Sequence, residues 1–214
     1  MTRYGLLIET DRCLGCDVCV YACKDEFEGN DYFPYSAAQP ETQYGYSPSD
    51  YPEPAAKLTP WIKPGHFWIK TINIVTGKYP NVKSIYMPLL CMHCDDAPCI
   101  KAAKDGAVYR RSDGIIIIDP KKSINQKQIL EACPYGVIYW NEELNIPQKC
   151  TLCAHLIDQG KKPKCVEACP VSAITFGDLD DPNSYISYKL KTLQTQQLKP
   201  ELGTKPKVYY TKLL

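Results

Sequence analysis

The residues able to do chemistry in this sequence are its twelve cysteines, and they fall in clumps. Cys13, Cys16, Cys19 and Cys23 are spaced C-x2-C-x2-C-x3-C, and Cys91, Cys94 and Cys99 are spaced C-x2-C-x4-C. Cys133 stands alone within Ala-Cys-Pro-Tyr-Gly. Cys150, Cys153, Cys165 and Cys169 are spaced C-x2-C-x11-C-x3-C, with Pro170 following. Cysteine makes up about 5.6% of the chain, below the roughly 8–10% of short secreted disulfide scaffolds. The N-terminal Met-Thr-Arg-Tyr-Gly-Leu-Leu-Ile-Glu lacks the pattern of a secretory signal. In a reducing compartment, cysteines so arranged serve as metal ligands rather than disulfides.

Three cysteines at C-x2-C-x2-C wrap three corners of a [4Fe–4S] cube, and a remote cysteine supplies the fourth. In two-cluster ferredoxins the last cysteine of C-x2-C-x2-C-x3-C-P ligates the other cluster. On that rule Cys13, Cys16 and Cys19 take Cys169, while Cys150, Cys153 and Cys165 take Cys23. Cys91, Cys94 and Cys99 then take Cys133. Three clusters with four thiolates each account for all twelve cysteines. A complete middle unit would hold a fourth cluster on positions now occupied by Ala103, Ser123, Gln126 and Ile129, so all four of its ligands are absent together.

Other uses of cysteine fit less well. Zinc takes four thiolates from C-x2-C pairs, but rarely from three cysteines at x2 and x2 followed by x3. A catalytic thiol needs a free cysteine beside a base, and none is left over. His93, inside Cys91-Met-His-Cys94, and His155, just after Cys153, could hydrogen-bond a cluster sulfur and tune its potential. For His155 and His66 a packing or surface role is expected. No phosphate-cradling glycine loop, nicotinamide or flavin fingerprint, or Ser–His–Asp motif occurs. The chemistry implied is one-electron transfer along a wire that needs a partner for substrate chemistry.

Short strands and helices must hold these loops. Cys133-Pro-Tyr-Gly-Val-Ile and Cys169-Pro-Val-Ser-Ala-Ile repeat one pattern, each followed by a β-like run, Val137 to Trp140 and Ile174 to Phe176. The fold class expected is α+β, with two interleaved ferredoxin-like units. Residues 1–30 and 143–180 form a two-cluster unit, and residues 85–142 a single-cluster unit. Phe67 to Val75 and Ser84 to Leu90 read as strands. Val108 to Arg111 and Ile115 to Asp119 flank Ser112-Asp113-Gly114 as a hairpin, and Gln126 to Ala132 reads as a short helix stopped by Pro134.

Residues 31–84 form an insert followed by strands. Seven of the 18 prolines and five tyrosines lie between positions 30 and 66. That density forbids long helices. The aromatic area available for burial favours an irregular but ordered segment over a flexible linker. Residues 181–214 read as a helix and an extended arm, Asp181-Pro182 offering an N-cap and first-turn proline. The arm's lysines fit a solvated terminus, and its apolar and aromatic residues fit an arm lying on a partner.

Composition bounds the partners. Lys and Arg number 25 against 24 Asp and Glu, a net charge of +1, so no basic surface for nucleic acid is expected. With 44% hydrophobic and 23% charged residues the chain reads as folded rather than disordered. No stretch approaches the roughly 18 apolar residues of a bilayer span, so no transmembrane segment is expected. The location expected is cytoplasmic, with export alongside a signal-bearing partner left open.

These clumps, with Pro88-x-x-Cys91-x-His93-Cys94-x-x-Ala97-Pro98-Cys99, Ala132-Cys-Pro-Tyr-Gly136 and Gly177-Asp-Leu-Asp-Asp-Pro182, resemble the iron–sulfur subunits of the dimethyl sulfoxide reductase family over nearly the whole chain. Residues 132–143, 148–156 and 199–210 are similar to the family's transhydroxylase small subunits that serve phenolic substrates. The resemblance implies a non-catalytic electron-transfer subunit paired with a large catalytic subunit that carries molybdenum or tungsten on a bis-pterin cofactor. It leaves as alternatives a subunit of a respiratory reductase for arsenate or a sulfur compound, and a free-standing polyferredoxin. Typical family members keep four clusters and the transhydroxylase small subunits three. In membrane-anchored members the missing site faces the quinone-linked subunit, so its loss implies a complex without a membrane anchor.

Overall fold

Leu6, Leu7 and Ile8 form an unbroken apolar run, which suits a strand covered on both faces. In the computed structural model of the chain, which describes residues 2–27 and 67–212, all three are fully buried in strand β1 (Tyr4–Ile8). β1 is the middle of a three-stranded sheet. β8 (Ile174–Asp178) pairs with it antiparallel, Leu6 opposite Phe176, and β9 (Val208–Tyr210) pairs parallel, Leu6 opposite Val208. The start of the chain and its last strands therefore share one sheet.

The first cysteine loop leads from β1 into helix α1 (Val18–Phe27). Cys19, Val20, Cys23 and Phe27 recur at helical spacing and are its buried stripe. That stripe packs on α5 (Lys164–Glu167), the short helix carrying Cys165. Phe27 closes the stripe against Trp68, ring centroids 4.6 Å apart. β2 (Ile69–Lys78) and β3 (Asn81–Leu90) form a long antiparallel hairpin, buried at Ile69 and Leu90 and exposed towards its tip at Tyr79.

The middle of the chain is built from small pieces. Pro98 opens α2 (Pro98–Ala102), where its missing N–H costs nothing. β4 (Val108–Arg110) and β5 (Ile116–Ile118) make the expected hairpin, turned by Gly114 at φ +83°. α3 (Gln128–Glu131) follows and packs on α2. β6 (Tyr139–Asn141) pairs with β7 (Ile146–Gln148), and α4 (Ala154–Ile157) starts directly after Cys153. A single apolar core contains eight of the cysteines, with Cys133 and Cys169 packed against it.

The architecture is α+β, with short helices and small sheets, as expected from the sequence. The insert expected at 31–66 lies outside the described residues. Three local readings are corrected. The helix after position 180 is α6 (Tyr185–Thr192), capped by Ser184 rather than by Asp181. Asp181 instead accepts the N–H of Asn183 in a turn before it, 2.9 Å away. The helix expected from Gln126 begins at Gln128, after a turn in which Asn125 holds left-handed backbone at φ +61°. The arm expected to be extended folds onto its own chain through a 3-10 turn (Pro200–Leu202) and β9. Two lysines of the C-terminal segment are buried: Lys189 on α6 meets Glu9, and Lys207 on the arm reaches the carbonyl of Gly114 and Asp95.

Candidate metal centres

Cys13, Cys16, Cys19 and Cys169 line one cavity, with Leu14, Pro88 and Ile174 among its walls. The loop that brings the first three together turns at Gly15 (φ +66°) and Asp17 (φ 57°). A Cβ at Gly15 would lie 2.4 Å from the Tyr86 ring on β3, so glycine is needed for backbone conformation and close approach alike. The N–H of Ala173 donates to Cys169 Sγ at 3.3 Å. Burial pushes the Cys13 thiol up and that of Cys19 to about 12, with neighbouring thiols adding to both.

Cys23 lies one helical turn beyond Cys19 and belongs to different company. After burial, the charges that raise its thiol most are those of Cys153, Cys150 and Cys165. Burial likewise pushes Cys165 well up and Cys150 to about 12. Leu152 (φ 56°) and Cys153 (φ 50°) hold left-handed backbone, which non-glycine residues adopt only under constraint from their surroundings. The reward is local: the N–H of Leu152 points at Cys150 Sγ, 3.3 Å away.

Cys91, Cys94, Cys99 and Cys133 line a second cavity, with Met92, Pro98, Ile116 and Tyr135. Burial raises Cys94 to about 12 and Cys99 to about 11. Backbone N–H groups of Val137, Tyr135 and Gly136 favour the thiolate of Cys133 against its burial. The Tyr135 hydroxyl bonds Thr204 Oγ1 at 2.5 Å, so the C-terminal segment braces this wall.

Two of the three groups expected from spacing thus line cavities, and the thiols of Cys153, Cys150 and Cys165 are the ones that bear most on buried Cys23. The groups are also linked in order, since Cys165 feels Cys19 and Cys150 feels Cys91. The donor set fits iron–sulfur cubes. Many buried thiols can become thiolates together only around compensating positive charge, which an iron core carries. The sulfurs of the first and third groups line cavities, and among the described residues no three Cys, His, Asp or Glu groups converge closely enough to grip a single ion.

The position of a fourth site is filled by protein. Gln126 Oε1 accepts the N–H of Lys104 at 2.9 Å, beside Ala103, and its Nε2 donates to the carbonyl of Lys122 at 2.7 Å. Ser123 and Ile129 are fully buried around it.

Among the described residues, neither His93 nor His155 hydrogen-bonds a sulfur. His93 Nδ1 accepts the N–H of Ile116 at 3.0 Å, while Nε2 has no hydrogen-bond partner among the described residues. Burial, then Lys149 and Lys207, hold His93 neutral. His155 is buried and bonds Glu26 through Nε2 at 2.9 Å, the packing role expected of it. His66 lies outside the described residues. Spacing did not point to the supporting groups: Gln126, the N–H donors to sulfur, and Lys149, whose only signal is its place beside Cys150.

Comparison with known proteins identifies the family and its iron–sulfur chemistry. The model of the 4Fe-4S dicluster domain family matches residues 82–179. The whole chain is 37% identical to the pyrogallol hydroxytransferase small subunit of Pelobacter acidigallici, over 70% of that protein. It is 30% identical to the arsenate respiratory reductase iron–sulfur subunit of Shewanella sp., over 97% of this chain and 95% of that one. It is 32% identical to a sulfite dehydrogenase subunit of Allochromatium vinosum, over 98% of this chain and 83% of that one. The chain belongs to the iron–sulfur electron-transfer subunits of the molybdopterin oxidoreductases. No helix among the described residues is long and apolar enough to cross a membrane.

Proposed function

We propose that this chain carries three [4Fe–4S] clusters and serves a large catalytic subunit that holds molybdenum or tungsten on a bis-pterin cofactor and acts on a phenolic substrate. Cys13, Cys16, Cys19 and Cys169 would hold the first cluster. Cys23, Cys150, Cys153 and Cys165 would hold the second, and Cys91, Cys94, Cys99 and Cys133 the third. The observation that carries the reading is the division of twelve thiols into three fours with none left over. The two ferredoxin-like units would be interleaved, since Cys23 and Cys169 exchange places between the chain's two ends.

When bound, each cluster supplies a one-electron couple whose potential follows its charge, hydrogen bonds and exposure. The chain's own residues set those conditions. Backbone N–H groups aimed at Cys150 and Cys169 stabilise negative charge on sulfur. The apolar walls exclude water around the second and third groups. Cys16 is exposed, and Leu14, Val18 and Tyr21 stand exposed beside it, which supports this face as the one that meets the catalytic subunit. Packing of Gln126 into the fourth position supports a wire that ends at the third cluster, and the complex proposed is cytoplasmic and without a membrane anchor.

The test is to isolate the chain anaerobically from its source with whatever accompanies it. Molybdenum or tungsten, pterin and a large subunit should co-purify in stoichiometric amounts, with turnover of polyhydroxylated benzenes. A chain isolated alone as a stable monomer would revive the free-standing polyferredoxin. The match to 95% of the arsenate reductase subunit favours a second reading, a respiratory reductase. Arsenate or sulfur-oxyanion reduction without turnover of phenols would select it, and firm association with an integral quinone-linked subunit would remove the unanchored complex.

A further inference from the structure

Lys149 is almost completely buried. Its ammonium donates to the carbonyl of Ile116 and, at 3.0 Å, to that of Cys150. Ile116 forms part of the wall around Cys91, Cys94, Cys99 and Cys133, while Cys150 belongs to the group with Cys23. The ammonium therefore stands between the second and third cysteine groups and touches the backbone of both walls. Two other buried lysines each face a carboxylate, Lys189 with Glu9 and Lys207 with Asp95 at 3.5 Å. Among the described residues Lys149 pairs with none. A buried cation left uncompensated is strongly unfavourable, so its compensation must come from the groups around it.

We propose that Lys149 is a fixed counter-charge shared by the second and third clusters, raising the reduction potential of both and easing the electron step between them. The inference rests on the three-cluster reading above. A cube held by four thiolates is anionic and becomes more so on reduction, so a nearby cation favours the reduced form. The influence of the same ammonium on the Cys99 and Cys150 thiols, lowering both against their burial, agrees with its position. Lys149 is a positioning residue for charge and contacts no substrate.

The experiment is a potentiometric titration followed by EPR on the anaerobically isolated complex. It compares wild type with Lys149→Met, Lys149→Gln and Lys149→Arg, with iron measured in each. With iron intact, the two uncharged variants should shift the reduced-to-oxidised ratio of two of the three clusters by about tenfold or more, about 59 mV downward for a one-electron couple. The first cluster should hold its potential, and arginine should restore the other two. Unchanged potentials in iron-replete Lys149→Met overturn the proposal and leave a structural tie between two carbonyls. Iron loss from both uncharged variants but not from Lys149→Arg also supports a counter-charge, whereas loss from all three overturns it in favour of packing. Failure of the three-cluster reading itself is separable, because wild type would then lack the iron and the third signal.

Discussion

Replacing Cys23 by alanine separates the crossed ligand arrangement from the arrangement that sequence order alone would suggest. Cys23 sits four residues after Cys19 on α1, yet after burial the thiols that raise it most are Cys153, Cys150 and Cys165, ahead of Cys19. The change should leave the helix in place. Alanine is the best helix former, gaining at most about 0.7 kcal/mol over cysteine. Deleting one buried sulfur costs on the order of 1 kcal/mol, by comparison with a buried methyl. The two nearly cancel, so Cys19 keeps its place and the damage stays with the second cluster. Iron per chain should fall by about one third if that cube is lost, or by about one twelfth if one iron leaves. Iron analysis with EPR of the dithionite-reduced protein reads both outcomes. The reciprocal Cys169→Ala should strike the first cluster. Loss of the first cluster alone in Cys23→Ala, with the second intact, would refute the crossing.

Three further changes probe the scaffold. Gly15→Ala should cost about 1–2 kcal/mol in left-handed strain alone and push the loop off Tyr86, so the first cluster should be lost while the others remain. Adding Tyr86→Ala should restore it in part, as iron and EPR would record. Lys207→Met should destabilise the chain by about 1–3 kcal/mol, because it leaves the Gly114 carbonyl unsatisfied. Urea denaturation and faster proteolysis of the C-terminal segment would check this. Ser184→Ala removes the acceptor of the Ser187 N–H, at 3.2 Å, and should cost about 1 kcal/mol by the same denaturation measurement.

The two cysteine-lined cavities were legible because short, rigid cysteine spacings are a pattern that few other demands on a chain produce. The hairpin at Gly114 and the strands on either side of Tyr79-Pro80 were legible from alternation and turn residues. The C-terminal segment was not. Lys207 and Lys189 look like solvated charges in a one-dimensional reading, and only the sheet that β9 joins shows each of them buried against specific acceptors. The start of α6 was misplaced because Asp181-Pro182 and Ser184 are both competent caps. Ser184 prevails because its hydroxyl also donates to the Asp178 carbonyl at 2.6 Å. The closing of the fourth site by Gln126 was equally hidden, since missing cysteines say nothing of what fills the space.

The most direct test of the central claim is to quantify iron, acid-labile sulfide and reduced-state EPR spins in the anaerobically isolated protein. A brown chain with about twelve irons and three one-electron couples is the expected result. Colourless protein, zinc in place of iron, or enough iron for a single cluster would contradict it.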